Sequence, residues 1–191
     1  MAPKIILTGF MATGKSAVAR ALAKRLSWRL IDCDARVVAL AGRPIAEIFR
    51  EQGEAAFRKL ERQVIEEMAA ERQRCPQCGE VRPAVVATGG GAIIDMRNYE
   101  ALQRAGVIVC LTARPEVIAR RVGSGAKARP MLMQGGKPLK ERIIELMEDR
   151  REAYARAEIT IDNSNLSIEQ SVEAILNAVT AYRRGRCSVS A

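Results

Sequence analysis

Residues 9–16, GFMATGKS, match the pattern G-x-x-x-x-G-K-[ST] without a gap. They follow a short apolar run and precede a helical pattern, which is the strand–loop–helix setting that this motif requires. Glycines let successive backbone N–H groups turn toward a phosphate, and the N-terminus of the following helix adds partial positive charge. We expect Lys15 to reach the β- and γ-phosphates and the Ser16 hydroxyl to bind Mg²⁺. The motif predicts binding of a nucleoside triphosphate.

Two aspartates, Asp32 and Asp34, lie just beyond the second predicted strand. Because side chains two residues apart on a strand point the same way, we expect both carboxylates to face the phosphate loop. One carboxylate can then support the Mg²⁺ shell, directly or through water. The other can orient an acceptor hydroxyl or accept its proton.

The composition excludes several chemistries. None of the 191 residues is histidine, which excludes a Ser-His-Asp triad, a histidine base and zinc sites with imidazole ligands. No apolar run approaches the ~18 residues of a membrane-spanning helix. The formal charge of +9 is consistent with an anionic small substrate or with nucleic acid, but no RNP-like or helix-turn-helix signature is present. We therefore expect no membrane and no nucleic-acid partner.

Strand and helix patterns alternate along the chain, which predicts an α/β fold with a parallel sheet covered on both faces. Strands are expected at 4–8, 30–31, 84–87, 107–111 and 158–161. Helices are expected at 15–26, 35–40, 45–52, 54–72, 97–105, 115–122, 139–157 and 167–183. Residues at about 123–138, rich in Gly, Lys, Arg and Pro, are expected to form a mobile lid that excludes water. We predict one domain over 1–182 and a basic polar tail at 183–191.

Four further stretches carry a family resemblance. Residues 53–61, GEAAFRKLE, look like the signature G-E-x-x-F-R-x-x-E. Residues 88–92, TGGGA, look like a triple-glycine element, and residues 128–132, ARPML, like a lid motif R-P-L-L. Residues 150–154, RREAY, match a late R-x-x-x-Y element. Together with the phosphate loop and the D-x-D pair, these motifs come in the order of the shikimate kinases, which the chain resembles from Ile5 to about Val179.

The resemblance implies a three-layer αβα fold of the P-loop nucleoside-monophosphate-kinase type, with a parallel five-stranded sheet. It also implies an ATP-dependent kinase that phosphorylates the 3-hydroxyl of shikimate, a step toward chorismate and aromatic amino acids. Mg²⁺ is then the cofactor, and ATP and shikimate are the small-molecule partners. The strong positive charge would attract both anionic ligands.

The resemblance further implies which residues hold shikimate. Arg58 and Arg150 would bind its carboxylate, since a planar guanidinium pairs bidentately with that group. The neighbouring Arg151 is the alternative to Arg150. Asp34 would hold the ring hydroxyls and orient or deprotonate the attacking one, with Asp32 supporting the metal shell.

Three consecutive glycines follow the third strand: Gly89, Gly90 and Gly91. Without side chains, their N–H groups can lie against shikimate and the γ-phosphate. The resemblance implies that Arg129 in the lid covers the transferring phosphoryl group and that Arg121, or its neighbour Arg120, stacks on adenine. The expected ATP-binding residues are Gly9, Met11, Ala12, Thr13, Gly14, Lys15, Ser16, Ala17, Arg121 and Arg129.

Residues 75–79, CPQCG, do not belong to this family pattern and lengthen the connection at about 73–83. Zinc needs four ligands, and the chain has neither histidine nor a second C-x-x-C. Three alternatives stay open for Cys75 and Cys78: an inert surface hairpin, which we favour, a zinc site shared by two chains, and a redox pair. The five scattered cysteines fit reduced thiols of the cytoplasm. We expect a cytoplasmic monomer, or a dimer joined through this insertion.

Two rival functions differ from this prediction in identifiable features. A kinase for another small acid or polyol, such as gluconate, would not call for the pairing of Arg58 with Arg150. A non-catalytic binding module or nucleic-acid-associated protein on the same fold would be expected to have lost a catalytic side chain. All of the following are present: Lys15, Ser16, Asp34 and Arg129.

Overall fold

Five parallel strands form the central sheet of the computed structural model. The structure describes residues 4–123, 132 and 137–187, with the backbone alone at residues 186 and 187. The strands are β1 (Lys4–Thr8), β2 (Arg29–Asp32), β3 (Ala84–Ala87), β4 (Gly106–Thr112) and β5 (Ile159–Asp162). Their order across the sheet is β2-β3-β1-β4-β5. Because every strand is parallel, all carboxyl ends lie along one edge of the sheet.

Helices follow most strands and cover the sheet. They are α1 (Lys15–Leu26), α2 (Cys33–Ala41), α3 (Ile45–Ala70), α4 (Met96–Ala105), α5 (Pro115–Val122), α6 (Leu139–Glu148), α7 (Arg151–Ala155) and α8 (Ile168–Cys187), with a 3₁₀ turn at Ala92–Ile94. This order confirms the predicted α/β fold. Part of the expected lid, including Arg129, lies outside the described residues.

Alternate side chains of the strands enter different cores. Ile6, Val86 and Ile108 pack against α2, α3 and α4 on one face. Leu7 and Val109 pack against α1 and α8 on the other face. The strands are apolar on both faces, as expected for a sheet that is covered on both sides. The result is the predicted three-layer arrangement.

A smaller apolar cluster lies beyond the carboxyl edge. Phe10 of the phosphate loop packs there against α5 and α6, together with Leu132. This cluster fixes the loop to the part of the chain that flanks the expected lid.

The observed helices depart most from the predicted ones in two places. The helix expected at 139–157 is interrupted at Asp149 and Arg150, so that α6 and α7 are separate. The final helix continues to Cys187 and includes the first residues of the expected tail. By contrast, the predicted interruption at Gly53 is confirmed, since that residue has non-helical backbone angles inside α3.

No helix in the described ranges is long and apolar enough to cross a lipid bilayer.

Candidate active site

The phosphate loop joins β1 to α1 at the carboxyl edge of the sheet. Gly9 has φ 128°, and a Cβ at this position would collide with the backbone carbonyl of Leu111. A residue with a side chain is therefore excluded on two grounds. Gly14 has φ 90° and caps α1, which presents its N-terminus to the loop. The predicted strand–loop–helix geometry is confirmed.

Side chains within and beside the loop hold its shape. Thr13 Oγ1 and Lys15 Nζ each donate to the Phe10 carbonyl, both at 2.8 Å. Asn163, just after β5, donates through Nδ2 to the Thr13 carbonyl at 2.7 Å. Arg121 donates to Asn163 Oδ1 and O at 3.1 and 3.0 Å. Sequence reasoning missed Asn163, because only the sheet order brings residue 163 beside residue 13.

The two members of the D-x-D pair occupy different elements. Strand β2 ends at Asp32 and helix α2 begins at Cys33, so Asp34 lies in the first helical turn. The expectation that strand alternation directs both carboxylates to the loop is therefore wrong. Asp32 caps α2 by accepting from Ala35 N at 3.2 Å, whereas Asp34 lines the cleft above the loop.

Burial raises the pKa of Asp34 above its ordinary value. The positive charge of Lys15 opposes this shift, the negative charge of Asp32 adds to it, and Arg58 again opposes it. A carboxyl with a raised pKa is a stronger base once it is ionised. The environment of Asp34 is therefore suited to accept a proton from a ligand hydroxyl.

Arg58 projects from α3 into the same cleft. Its Nη1 donates to Glu61 Oε2 at 2.7 Å, and its Nη2 donates to Glu54 Oε1 at 3.0 Å. The guanidinium also lies over the Phe57 ring, 5.2 Å from its centroid. These three neighbours, at spacings of one, three and four residues on one helix, fix the direction of the guanidinium.

Glu61 is a buried carboxylate that sequence reasoning quoted only as part of a motif. It is 1% exposed, and burial raises its pKa although Arg58 opposes the shift. Its Oε1 has no hydrogen-bond partner among the described residues. Glu61 lines the cleft, but this oxygen itself is buried behind the backbone of Gly89, so it is a buried polar atom at the edge of the cleft that no described residue satisfies.

Arg150 is turned inward by the interruption between α6 and α7. It is 6% exposed, lines the cleft and lies over the Phe10 ring at 5.7 Å. Arg151 starts α7 on the outer side, where its side chain is 75% exposed and pairs with Glu148. The structure therefore places Arg150, and not Arg151, beside Arg58 in the cleft.

The glycines at 89–91 form a wall without side chains. A Cβ at Gly89 would lie 2.5 Å from Glu61 Oε1, and a Cβ at Gly91 would lie 2.6 Å from Arg58 Nη2. Added methyl groups would therefore displace the charged side chains from their positions. The absence of side chains keeps the two charged groups within reach of a ligand.

Tyr154 connects this wall to α7, and its role was not predicted. Its hydroxyl donates to the Gly90 carbonyl at 2.6 Å, and its backbone N–H donates to the Arg150 carbonyl at 3.0 Å. Burial raises its pKa to about 12, so the hydroxyl keeps its proton. Tyr154 thereby positions the glycine wall relative to Arg150.

Most of these groups surround one cavity of about 450 Å³. It lies at the carboxyl ends of β1, β2 and β3, where ligands of open α/β sheets bind. The lining includes Met11, Ala12, Gly14, Lys15, Ser16, Ala17, Asp34, Phe49, Phe57, Arg58, Glu61, Gly89, Gly90, Gly91 and Arg150. Most of the predicted site residues are therefore brought together. Four predicted residues lie outside this lining, namely Gly9, Thr13, Asp32 and Arg121, and Arg129 is not among the described residues.

Comparison with known proteins decides the family. The family model described as shikimate kinase matches residues 11–180. The chain belongs to the shikimate kinase family. It is 42% identical to the shikimate kinase of Geobacter sulfurreducens over 179 residues, which cover 94% of this chain and 92% of the relative. The predicted ATP-dependent kinase class is thus confirmed.

Solved structures agree with this assignment. The shikimate kinase of Acinetobacter baumannii in complex with shikimate aligns with a TM-score of 0.83 and 29% identity, over 95% of this chain and 94% of that chain. A gluconokinase of Sinorhizobium meliloti aligns with a TM-score of 0.59 and 18% identity, over 99% of this chain and 98% of that chain. The second likeness concerns the fold alone.

Proposed function

We propose that this shikimate kinase homologue transfers the γ-phosphoryl group of ATP to the 3-hydroxyl of shikimate in the cleft described above. The observation that carries the proposal is that two arginines, Arg58 and Arg150, line the same cavity as the phosphate loop and Asp34. A phosphate site, a carboxylate site and a basic carboxylate thus share one cavity. Family membership supports shikimate as the acceptor.

The residue roles follow from the geometry and the chemistry. Arg58, held by Glu61, and Arg150, held over Phe10, form two planar donors for the substrate carboxylate. Asp34 orients the attacking hydroxyl and accepts its proton. The N–H groups of the glycine wall lie against the substrate ring.

The triphosphate is bound on the other side of the cleft. Backbone N–H groups of residues 9–16 and the N-terminus of α1 surround its phosphates, and Lys15 offsets their charge. Arg121, whose guanidinium lies near the Thr13 carbonyl, would contact the base. Arg129 in the proposed lid contributes positive charge when the lid covers the cleft.

A magnesium ion fits the oxygen groups present. Ser16 is exposed and lines the cleft, and Asp32 uses only Oδ1 to cap α2. Hydroxyl and carboxylate oxygens are the ligands that Mg²⁺ prefers, so Ser16 would hold it directly and Asp32 through water. When bound, the ion neutralises charge on the β- and γ-phosphates.

An ADP-release assay with Mg-ATP tests the proposal, with shikimate, quinate and gluconate as separate acceptors. We expect release that depends on shikimate, and proton-coupled phosphorus NMR should place the new phosphate on the 3-hydroxyl. Release with gluconate alone would overturn the acceptor assignment. If ATP binds but no acceptor gives release of ADP, only the assignment of the nucleotide site would remain.

A further inference from the structure

The segment between α3 and β3 forms a small hairpin that the kinase site does not use. Arg74 and Val81 form an antiparallel bridge, and Cys75 N donates to the Glu80 carbonyl at 2.7 Å. The residues 75–79, CPQCG, therefore form the tip of a hairpin. They lie at the amino edge of the sheet, opposite the cleft.

The tip brings its two cysteines together. Gly79 N donates to the Cys75 carbonyl at 2.9 Å, and Gly79 adopts φ 71°, a backbone conformation that favours glycine. In this closed turn the backbone N–H groups of Gln77 and Cys78 and the Cys78 side chain lie near the Cys75 sulfur. The Cys75 thiol in turn contacts Gln77 Oε1 at 3.0 Å.

The backbone groups of the turn favour the thiolate of Cys75. Hydrogen bonds from the Cys78 and Gln77 backbone, and then from the Cys78 side chain, lower the pKa of Cys75 to about 7. Burial acts in the opposite direction on Cys33 and Cys110, whose pKa values rise to about 12 and about 11. Cys75 is half-buried and Cys78 is exposed, so a small reagent can reach the pair.

We propose that Cys75 and Cys78 form a reversible dithiol–disulfide site that reacts with low-molecular-weight disulfides. The Cys75 thiolate attacks one sulfur of the disulfide RSSR, whose S–S bond breaks and releases RS⁻, which takes a proton from water. Cys78 then loses its proton to solvent and attacks the Cys75 sulfur, releasing a second RS⁻, which is protonated in turn. Two protein thiols are oxidised, and one RSSR is reduced to two RSH.

A metal site is the competing use of such a turn. Zinc needs four ligands, and no group of three or more potential ligands occurs among the described residues. Two thiols suffice for the disulfide reaction. The observations on a single chain therefore favour the redox use over the zinc use.

Mass spectrometry of the full chain tests this proposal. The reduced protein is treated with glutathione disulfide near neutral pH, quenched in acid and digested. We expect the peptide that contains Cys75 and Cys78 to lose two hydrogens and to regain them with dithiothreitol. Cys78→Ser should trap a mixed disulfide at Cys75, while Cys75→Ser should react about tenfold more slowly. Cys187→Ser serves as the matched control and should react like the unchanged chain.

Three results would overturn the proposal. One is an equal rate for Cys75→Ser and the unchanged chain, and another is a disulfide between two chains in place of the internal one. The third is one zinc ion per two chains in the purified protein, with both thiols unreactive until a chelator removes the metal. Turnover with shikimate, which should be unchanged in all three variants, shows that each variant is folded.

Discussion

The two edges of the sheet use buried lysines in different ways. At the amino edge, Lys4 is 2% exposed, and its ammonium group donates to three carbonyls at the end of α3: Met68 at 2.8 Å, Ala69 at 3.4 Å and Glu71 at 3.1 Å. At the carboxyl edge, Lys15 is 8% exposed, donates to the Phe10 carbonyl and also lines the cleft. One lysine is satisfied by the fold, and the other faces a ligand site.

The acidic groups show the same difference. At the amino edge, Glu71 is shared by Arg29 and Arg36 at 2.7 and 2.8 Å, so each of its oxygens has a partner. At the carboxyl edge, one oxygen of the more deeply buried Glu61 has no partner among the described residues. Groups that the protein itself satisfies stabilise the fold, whereas a buried oxygen without a partner costs stability.

The largest effect is expected at the carboxyl edge. Asp34→Asn keeps the size of the side chain but removes the base, so kcat should fall by about 100- to 10,000-fold. ATP binding, measured by calorimetry, should be unchanged. Asp95→Asn is the control, because that carboxylate caps α4 away from the cleft. A kcat within twofold of the unchanged chain would mean that Asp34 is not the base.

Replacement of Lys4, the buried lysine at the amino edge, should lower the stability of the fold and leave the kinetics unchanged. Lys4→Met leaves the carbonyls at the end of α3 without their donor, which should lower the free energy of unfolding by about 2–4 kcal/mol. Urea unfolding measures this loss, with the exposed Lys24→Met on α1 as the control. KM and kcat of the folded fraction should stay the same. A kinetic change without a loss of stability would contradict the proposed separation of the two edges.

The adjacent arginines offer a matched pair within the site. Arg150→Lys keeps the charge but loses the bidentate fork, so KM for shikimate should rise about 10- to 100-fold, with a smaller change in kcat. Arg151→Lys should change KM by less than about twofold, because that side chain is exposed. Steady-state kinetics with varied shikimate measures both. Similar effects of the two variants would refute the assignment.

A smaller effect is expected from the contact between Tyr154 and Gly90. Tyr154→Phe removes one neutral hydrogen bond, which should lower kcat/KM for shikimate about fivefold. Tyr99→Phe removes a comparable bond to the Arg156 carbonyl outside the cleft. If both variants lose similar stability but only Tyr154→Phe loses kcat/KM, Tyr154 is a positioning residue. Equal kinetic losses would indicate a purely structural role.

The pH dependence gives the finest test. Asp34 must be ionised to accept a proton, and burial raises its pKa, so kcat/KM should begin to fall at a pH above the ordinary aspartate range. Because the charge of Asp32 contributes to the raised pKa, Asp32→Asn should move this acid limb to lower pH. Asparagine keeps the cap of α2. The pH profile of kcat/KM is measured at saturating Mg²⁺. If Asp32→Asn leaves the acid limb at the same pH, the proposed coupling between Asp32 and Asp34 is contradicted.

Local signals determined much of the fold and part of the site. The bounds of α1 at Lys15–Leu26, β3 at Ala84–Ala87 and α5 at Pro115–Val122 agree with the prediction. Glycine, proline or a switch between apolar periodicities marks the ends of each of these elements, and such signals act within a few residues. The phosphate loop is likewise predicted from residues that are adjacent in the chain. Arg58 and the glycine wall were predicted with the help of family motifs, which give the positions of residues along the chain but not their geometry.

Only the tertiary structure decided which side chains meet. The interruption between α6 and α7 places Arg150 inside and Arg151 outside, although the sequence there predicts one continuous helix. The start of α2 at Cys33 separates Asp34 from Asp32. The contacts of Tyr154 with Gly90 and of Asn163 with Thr13 join residues far apart in the chain. Packing of distant elements sets these contacts, and the free energy of that packing outweighs local preference, so a single sequence does not reveal them.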